Sequence, residues 1–182
     1  EVLFSYEQTE FANVVLPYRK AEIIYESGKK PALLLYLHGG SSKGTDNEAQ
    51  MKEPAIDSIC NYLVLQNMNA IFLIPQCPSD KSWGGMMNGV LKSLIDRYVS
   101  EQLVDERKIY ILGGSMGGSG TWSMISSYPD LFAASAEKVI MSIISAIRRR
   151  AVNATANLFR ERTITKKRSA KDLKFTKNRL RR

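Results

Sequence analysis

Gly113-Gly114-Ser115-Met116-Gly117 sets one serine among three glycines, between the apolar run KIYIL and a helix-like stretch. A serine at a strand-to-helix turn of this kind is pushed into a strained backbone conformation. Small residues two positions to either side relieve the clashes that result. The hydroxyl of Ser115 then stands exposed, and the backbone N–H of Met116 lies beside it at a helix N-terminus, where negative charge is favoured. This is the equipment of nucleophilic acyl transfer: an attacking hydroxyl and an N–H aimed at a developing oxyanion. His38-Gly39-Gly40 closes a second apolar run. It offers the N–H of Gly40 as the other oxyanion donor, with His38 and Gly39 supporting the loop. Phosphate-binding alternatives fail on spacing. No lysine follows Gly118 or Gly120 as a P-loop requires, and a dinucleotide fingerprint belongs after the first strand rather than the third.

These turns need a scaffold. PALLLYL (31–37), AIFLIP (70–75) and KIYILGG (108–114) are short, continuous apolar runs, the pattern of strands buried on both faces. Between them, residues 54–66 carry Ile56, Ile59, Cys60 and Leu63 at helical spacing. Residues 88–99 do the same through Val90, Leu91, Leu94, Ile95 and Tyr98. A further helix is expected over 116–128, ended near Pro129. ANVVLPYRKAEII (12–24) reads as extended, with Pro17 suited to an edge or bulge. The alternation predicts an α/β fold, a mostly parallel central sheet with helices on both faces. Ligands in such sheets sit beyond the carboxyl ends of the strands, where both glycine-rich turns fall.

The chain has 182 residues and a net charge of +8, unevenly spread. Through Ala136 there are 11 Lys and Arg against 15 Asp and Glu, a balance of −4; from Glu137 onward there are 15 against 3, a balance of +12. Two domains are expected: residues 1–135, a partial catalytic-type domain, and residues 136–182, a basic tail. The tail holds one amphipathic helix over 138–150 and then disorder. Cys60 and Cys77 match neither a disulfide framework nor a metal-ligand spacing. No metal and no cofactor is expected, and no run is apolar and long enough for a membrane span. A signal peptide is not visible, and the first residue, Glu1, implies a trimmed N-terminus. The compartment, cytoplasmic or secreted, and the oligomeric state are not encoded legibly.

Residues from about Leu16 to Ser135 resemble the α/β-hydrolase superfamily, and within it carboxylesterases of the esterase D, feruloyl-esterase and polyhydroxybutyrate-depolymerase type, with related peptidases and phospholipases. LLLYLHGG (33–40), DNEAQM (46–51), FLIPQCP (72–78) with Trp83, VDERKIYILGGSMGGSGTW (104–122) and YPDLFAA (128–134) carry the resemblance. It implies a serine hydrolase acting on small acyl esters through an acyl-Ser115 intermediate, with Met116 and Gly40 as oxyanion donors. It also places Asp46, Asn47 and Gln76 near the acyl or alcohol pocket. In this superfamily the triad order is serine, acid, histidine. No histidine follows Ser115, and the acids beyond the resemblance are Glu137, Glu161 and Asp172. The expectation is an impaired hydrolase, its tail the out-of-frame end of a truncated domain. The alternative is a catalytically inactive hydrolase fragment whose native basic tail binds nucleic acid or acidic surfaces, weakly and with strong salt dependence.

Overall fold

A computed structural model describes residues 2–133. The expected helix 138–150 and the rest of the basic tail lie outside the described residues. The strands are β1 (Ser5–Phe11), β2 (Val14–Ile23), β3 (Ala32–Leu37), β4 (Ala70–Pro75) and β5 (Ile109–Gly113). The helices are α1 (Pro54–Leu65), α2 (Met86–Ser100) and α3 (Met116–Ser127). The five strands form one mixed sheet in the order β1-β2-β4-β3-β5. β3 runs parallel to β4 and β5, while β2 is antiparallel to both β1 and β4.

β3 and β4 are buried at every position, as their unbroken apolar runs require. The chain passes from β3 to β4 on one side, then crosses back over β3 to reach β5. Right-handed crossovers in opposite directions put α1 and α2 on opposite faces of the sheet. Leu33, Leu35, Leu37, Ile71, Leu73, Ile109 and Ile111 pack with Val90, Leu91, Leu94 and Ile95 of α2 and Met124 of α3. The alternate residues Leu34, Phe72 and Ile74 are equally buried on the other face. That face takes α1, whose buried side are Ile56, Ile59, Cys60 and Leu63.

One expectation needs correction. Pro17 does not lie on an edge strand, because β2 is paired on both sides. In the antiparallel pattern a residue's N–H and C=O point the same way. The Pro17 carbonyl accepts from the Gln76 N–H at 2.8 Å, just past the end of the β2–β4 ladder. The missing proline N–H therefore falls where the ladder has already stopped. β1 is an addition: Phe11 pairs with Val14 across a two-residue turn, and Ala12 and Asn13 both have positive φ, 50° and 60°. That is the type I′ geometry of tight hairpins, made here without the glycine that normally advertises it. Among the described residues no helix is long and apolar enough to cross a membrane.

Candidate active site

β5 ends at Gly113 and α3 begins at Met116, which leaves Ser115 as the helix N-cap with φ 54° and ψ −118°. Nearly the same backbone conformation, φ 56° and ψ −126°, caps α2, but there the residue is Gly85. Glycine takes that conformation freely; a serine bears a strain of about 1–3 kcal/mol. Ser115 is exposed, and its side chain makes no capping bond to its own helix. The flanking glycines are required by contact. A Cβ on Gly117 would lie 1.8 Å from the Leu37 carbonyl oxygen. One on Gly113 would lie 2.5 Å from the carbonyl carbon and oxygen of Gly117 and 2.7 Å from the Leu37 oxygen. Gly120, one helical turn on, rests against Trp83, where a Cβ would come within 2.3 Å of the tryptophan Cβ.

The loop after β3 meets this turn. A Cβ on Gly39 would stand 3.8 Å from the Ser115 Cβ, and one on Gly40 would stand 4.0 Å from the Met116 sulfur. Gly40 opens a short 3-10 turn, Gly40–Ser42, and Met116 opens α3. First-turn N–H groups have no acceptor within their own helix. The structure thus brings Ser115, Met116, Gly39 and Gly40 together at the carboxyl ends of the adjacent strands β3 and β5.

His38 is fully buried. Its Nε2 accepts the Cys77 N–H at 2.9 Å, so that nitrogen carries no proton; Nδ1 therefore donates to the Gly39 carbonyl at 2.6 Å. The ring packs edge-on against Trp83, whose Nε1 donates to the His38 carbonyl at 3.0 Å. Burial holds the imidazole below its ordinary pKa, more strongly than the Gly39 bond raises it. With both nitrogens engaged, the ring has no site left to take a proton from Ser115.

Glu53, one residue before α1, also reaches this loop. Its Oε1 accepts the Gly39 N–H at 3.1 Å and the Ser42 hydroxyl at 2.8 Å, and its Oε2 accepts the Tyr36 hydroxyl at 3.4 Å. Burial, and then the Glu53 charge, push the Tyr36 phenol up to about 12. Sequence reading missed Glu53, since a glutamate before a proline-led helix reads as an ordinary helix start. Asp46, Asn47 and Gln76 tie down the following loop. The Asp46 Oδ1 accepts from Gln76 Nε2 at 2.7 Å and from the N–H groups of Glu48 and Ala49. These bonds, the Glu48 N–H foremost, draw the Asp46 carboxyl down to about 2. Gln76 Oε1 accepts the Asn47 N–H at 2.6 Å, and Asn47 Nδ2 donates to the Tyr18 carbonyl. Cys60 and Cys77 are free and buried, with burial raising both thiols to about 11. Hollows of about 660 and 290 Å³ lie at the opposite, amino end of the strands, around Lys29, Lys30 and Lys108, and share no residue with the site.

No protein-family model and no curated protein matches the sequence. Solved structures do match. A thermostable esterase is 28% identical, with a TM-score of 0.59 over 71% of this chain and 39% of that one. A ferulic acid esterase is 17% identical, with a TM-score of 0.54 over 72% of this chain and 57% of that one. An acetyl xylan esterase from Aspergillus awamori is 20% identical, with a TM-score of 0.52 over 71% and 50%. The chain thus spans 39% to 57% of the length of these three proteins. Its sheet order, its strained serine between β5 and α3, and these likenesses agree: the chain belongs to the α/β-hydrolase superfamily.

Proposed function

We propose that the chain carries the nucleophile and oxyanion half of a serine carboxylic-ester hydrolase acting on small acyl esters. Ser115 is the nucleophile, the N–H groups of Met116 and Gly40 hold the oxyanion, and His38 and Gly39 shape the donor loop. One observation supports this reading: an exposed serine with a strained backbone opens α3 where the Gly39-Gly40 loop comes against it. In the reaction, the Ser115 Oγ bonds to the ester carbonyl carbon and loses its proton to a base. The carbonyl oxygen becomes an anion between the two N–H groups, and the alcohol leaves after taking up a proton. The sequence holds one histidine, His38, whose two nitrogens are occupied. These 182 residues therefore supply no histidine base. Oxyanion donors and binding alone sustain a rate about 10³–10⁴-fold above water, so isolated chains turn over esters slowly.

Prolonged incubation with a fluorophosphonate, followed by peptide mass spectrometry, tests the assignment. Label is expected on Ser115 and is lost in Ser115→Ala. Label on another serine, or none, refutes it. The charge of residues 137–182 favours a second reading, a basic segment that holds nucleic acid by counterion release. Retention of the full chain on DNA, falling steeply with salt and absent from residues 1–135, is its signature.

A further inference from the structure

We propose that Glu53 is the latch that selects which amide of the His38-Gly39-Gly40 loop faces the reacting carbonyl. It is a positioning residue rather than a catalytic one, and the proposal rests on the reading of Ser115 as nucleophile. Two consecutive amides of this loop compete for the oxyanion. The Gly39 N–H is taken by Glu53 Oε1 at 3.1 Å, and the same oxygen takes the Ser42 hydroxyl at 2.8 Å. One carboxylate oxygen thus grips the 3-10 turn at both ends, with Gly40 between the two anchors. Gly40 is exposed, whereas Gly39 and Ser42 are buried.

Glu53 is otherwise unexplained. It occupies the N-cap of α1 yet makes no capping bond to that helix. Its second oxygen is spent on the Tyr36 hydroxyl, and a Cβ on Gly114 would lie 3.7 Å from that hydroxyl. The Ser115 turn thus lies against the Tyr36 hydroxyl, and hydrogen bonds run from Tyr36 through Glu53 to the donor loop. Of the about four lone-pair sites of the Glu53 carboxylate, three are taken up by Gly39, Ser42 and Tyr36. What the latch needs is an acceptor, not a charge. A glutamine oxygen can take both Gly39 and Ser42, and its amide can donate to the Tyr36 oxygen; an alanine can do none of this.

The test compares wild type, Glu53→Gln and Glu53→Ala by the rate of Ser115 phosphonylation and by amide hydrogen exchange at Gly39. Removing an oxyanion donor costs about 10²–10³ in rate, and a displaced donor loses part of that. Glu53→Ala is expected to slow labelling roughly 10- to 100-fold and to speed Gly39 exchange at least about tenfold. Glu53→Gln is expected to recover labelling to within about threefold and to keep Gly39 protected. Labelling of Glu53→Ala at the wild-type rate, unchanged Gly39 exchange, or Glu53→Gln as slow as Glu53→Ala each overturns the proposal. If Glu53→Ala does not fold, Gly39 protection in Glu53→Gln decides: retained, it supports the latch; lost, it overturns it. A wild-type chain that never labels on Ser115 defeats the nucleophile reading instead, and Gly39 exchange still judges the latch.

Discussion

Gly117 and Gly118 are neighbours in α3, and alanine at each should move stability in opposite directions. At Gly117 the new Cβ would sit 1.8 Å from the Leu37 oxygen, 2.5 Å from the Leu37 carbonyl carbon and 2.9 Å from the His38 oxygen. All three atoms are backbone of β3 or of the loop that leaves it, so no side chain can swing away. Relief requires α3 to move off the sheet by more than about 1 Å, breaking the packing of Met124 as well. Overpacking costs about 1–3 kcal/mol and occasionally more; a rigid backbone obstacle puts Gly117→Ala at 3 kcal/mol or above. At Gly118 the nearest atom to a new Cβ is the Gly113 oxygen at 3.5 Å, an ordinary contact. Replacing a helical glycine by alanine there gains about 0.5–1 kcal/mol. Thermal unfolding, read at about 3 °C per kcal/mol for a domain of this size, should show Gly117→Ala about 10 °C lower or unfolded. Gly118→Ala should melt about 2–3 °C higher. Gly117→Ala within 1 kcal/mol of wild type, or Gly118→Ala falling as far, would refute the steric account of the turn.

Burial keeps His38 neutral below its ordinary 6.5, so the unfolded chain takes up that proton first. Its stabilising contribution is complete above about pH 6.5 and is lost as pH falls below it. Urea midpoints from pH 8 to 5 should decline, and His38→Gln should flatten that decline; an equal slope in both proteins disproves it. Gly120→Ala, driven against Trp83, should cost about 1–3 kcal/mol in the same unfolding measurements. Added imidazole supplies a base from solution, so p-nitrophenyl acetate hydrolysis should rise roughly tenfold above a Ser115→Ala control. A rise identical in that control excludes Ser115 as the acceptor of the acyl group.

The three parallel strands and three helices were legible because each is a buried apolar run or a clear helical stripe, and their boundaries fall within two residues of expectation. Local steric rules made the serine turn readable for the same reason: the two glycines it demands are close in sequence. β1 escaped notice because SYEQTEF is mostly polar and exposed, with no apolar run to mark a buried strand. Its turn, Ala12-Asn13, lacks glycine. Glu53 escaped because its importance lies in whom it touches across the fold. No local pattern ties a residue before Pro54 to the amide of Gly39, and only packing α1 under the sheet's rim brings them together.

One carbonyl unites the two motifs. The Leu37 oxygen accepts the Gly114 N–H at 3.3 Å and is the atom that Cβ groups on Gly113 and Gly117 would strike. Leu37 is also the last residue of β3, directly before His38. Gly117 is therefore dictated by the neighbouring strand, which α3 must approach almost to backbone contact, and Gly113 by that strand together with the Gly117 carbonyl of its own turn. Strand order makes that approach possible: β3 and β5 are adjacent, and the chain reverses direction across the sheet between them. A longer side chain at Gly113 or Gly117 would push Ser115 away from Gly39 and Gly40 before it changed anything at the hydroxyl itself. The strain at Ser115, about 1–3 kcal/mol, is held by the same contact. The serine turn and the loop after β3 are thus one packing unit, and a change on either strand end reaches both.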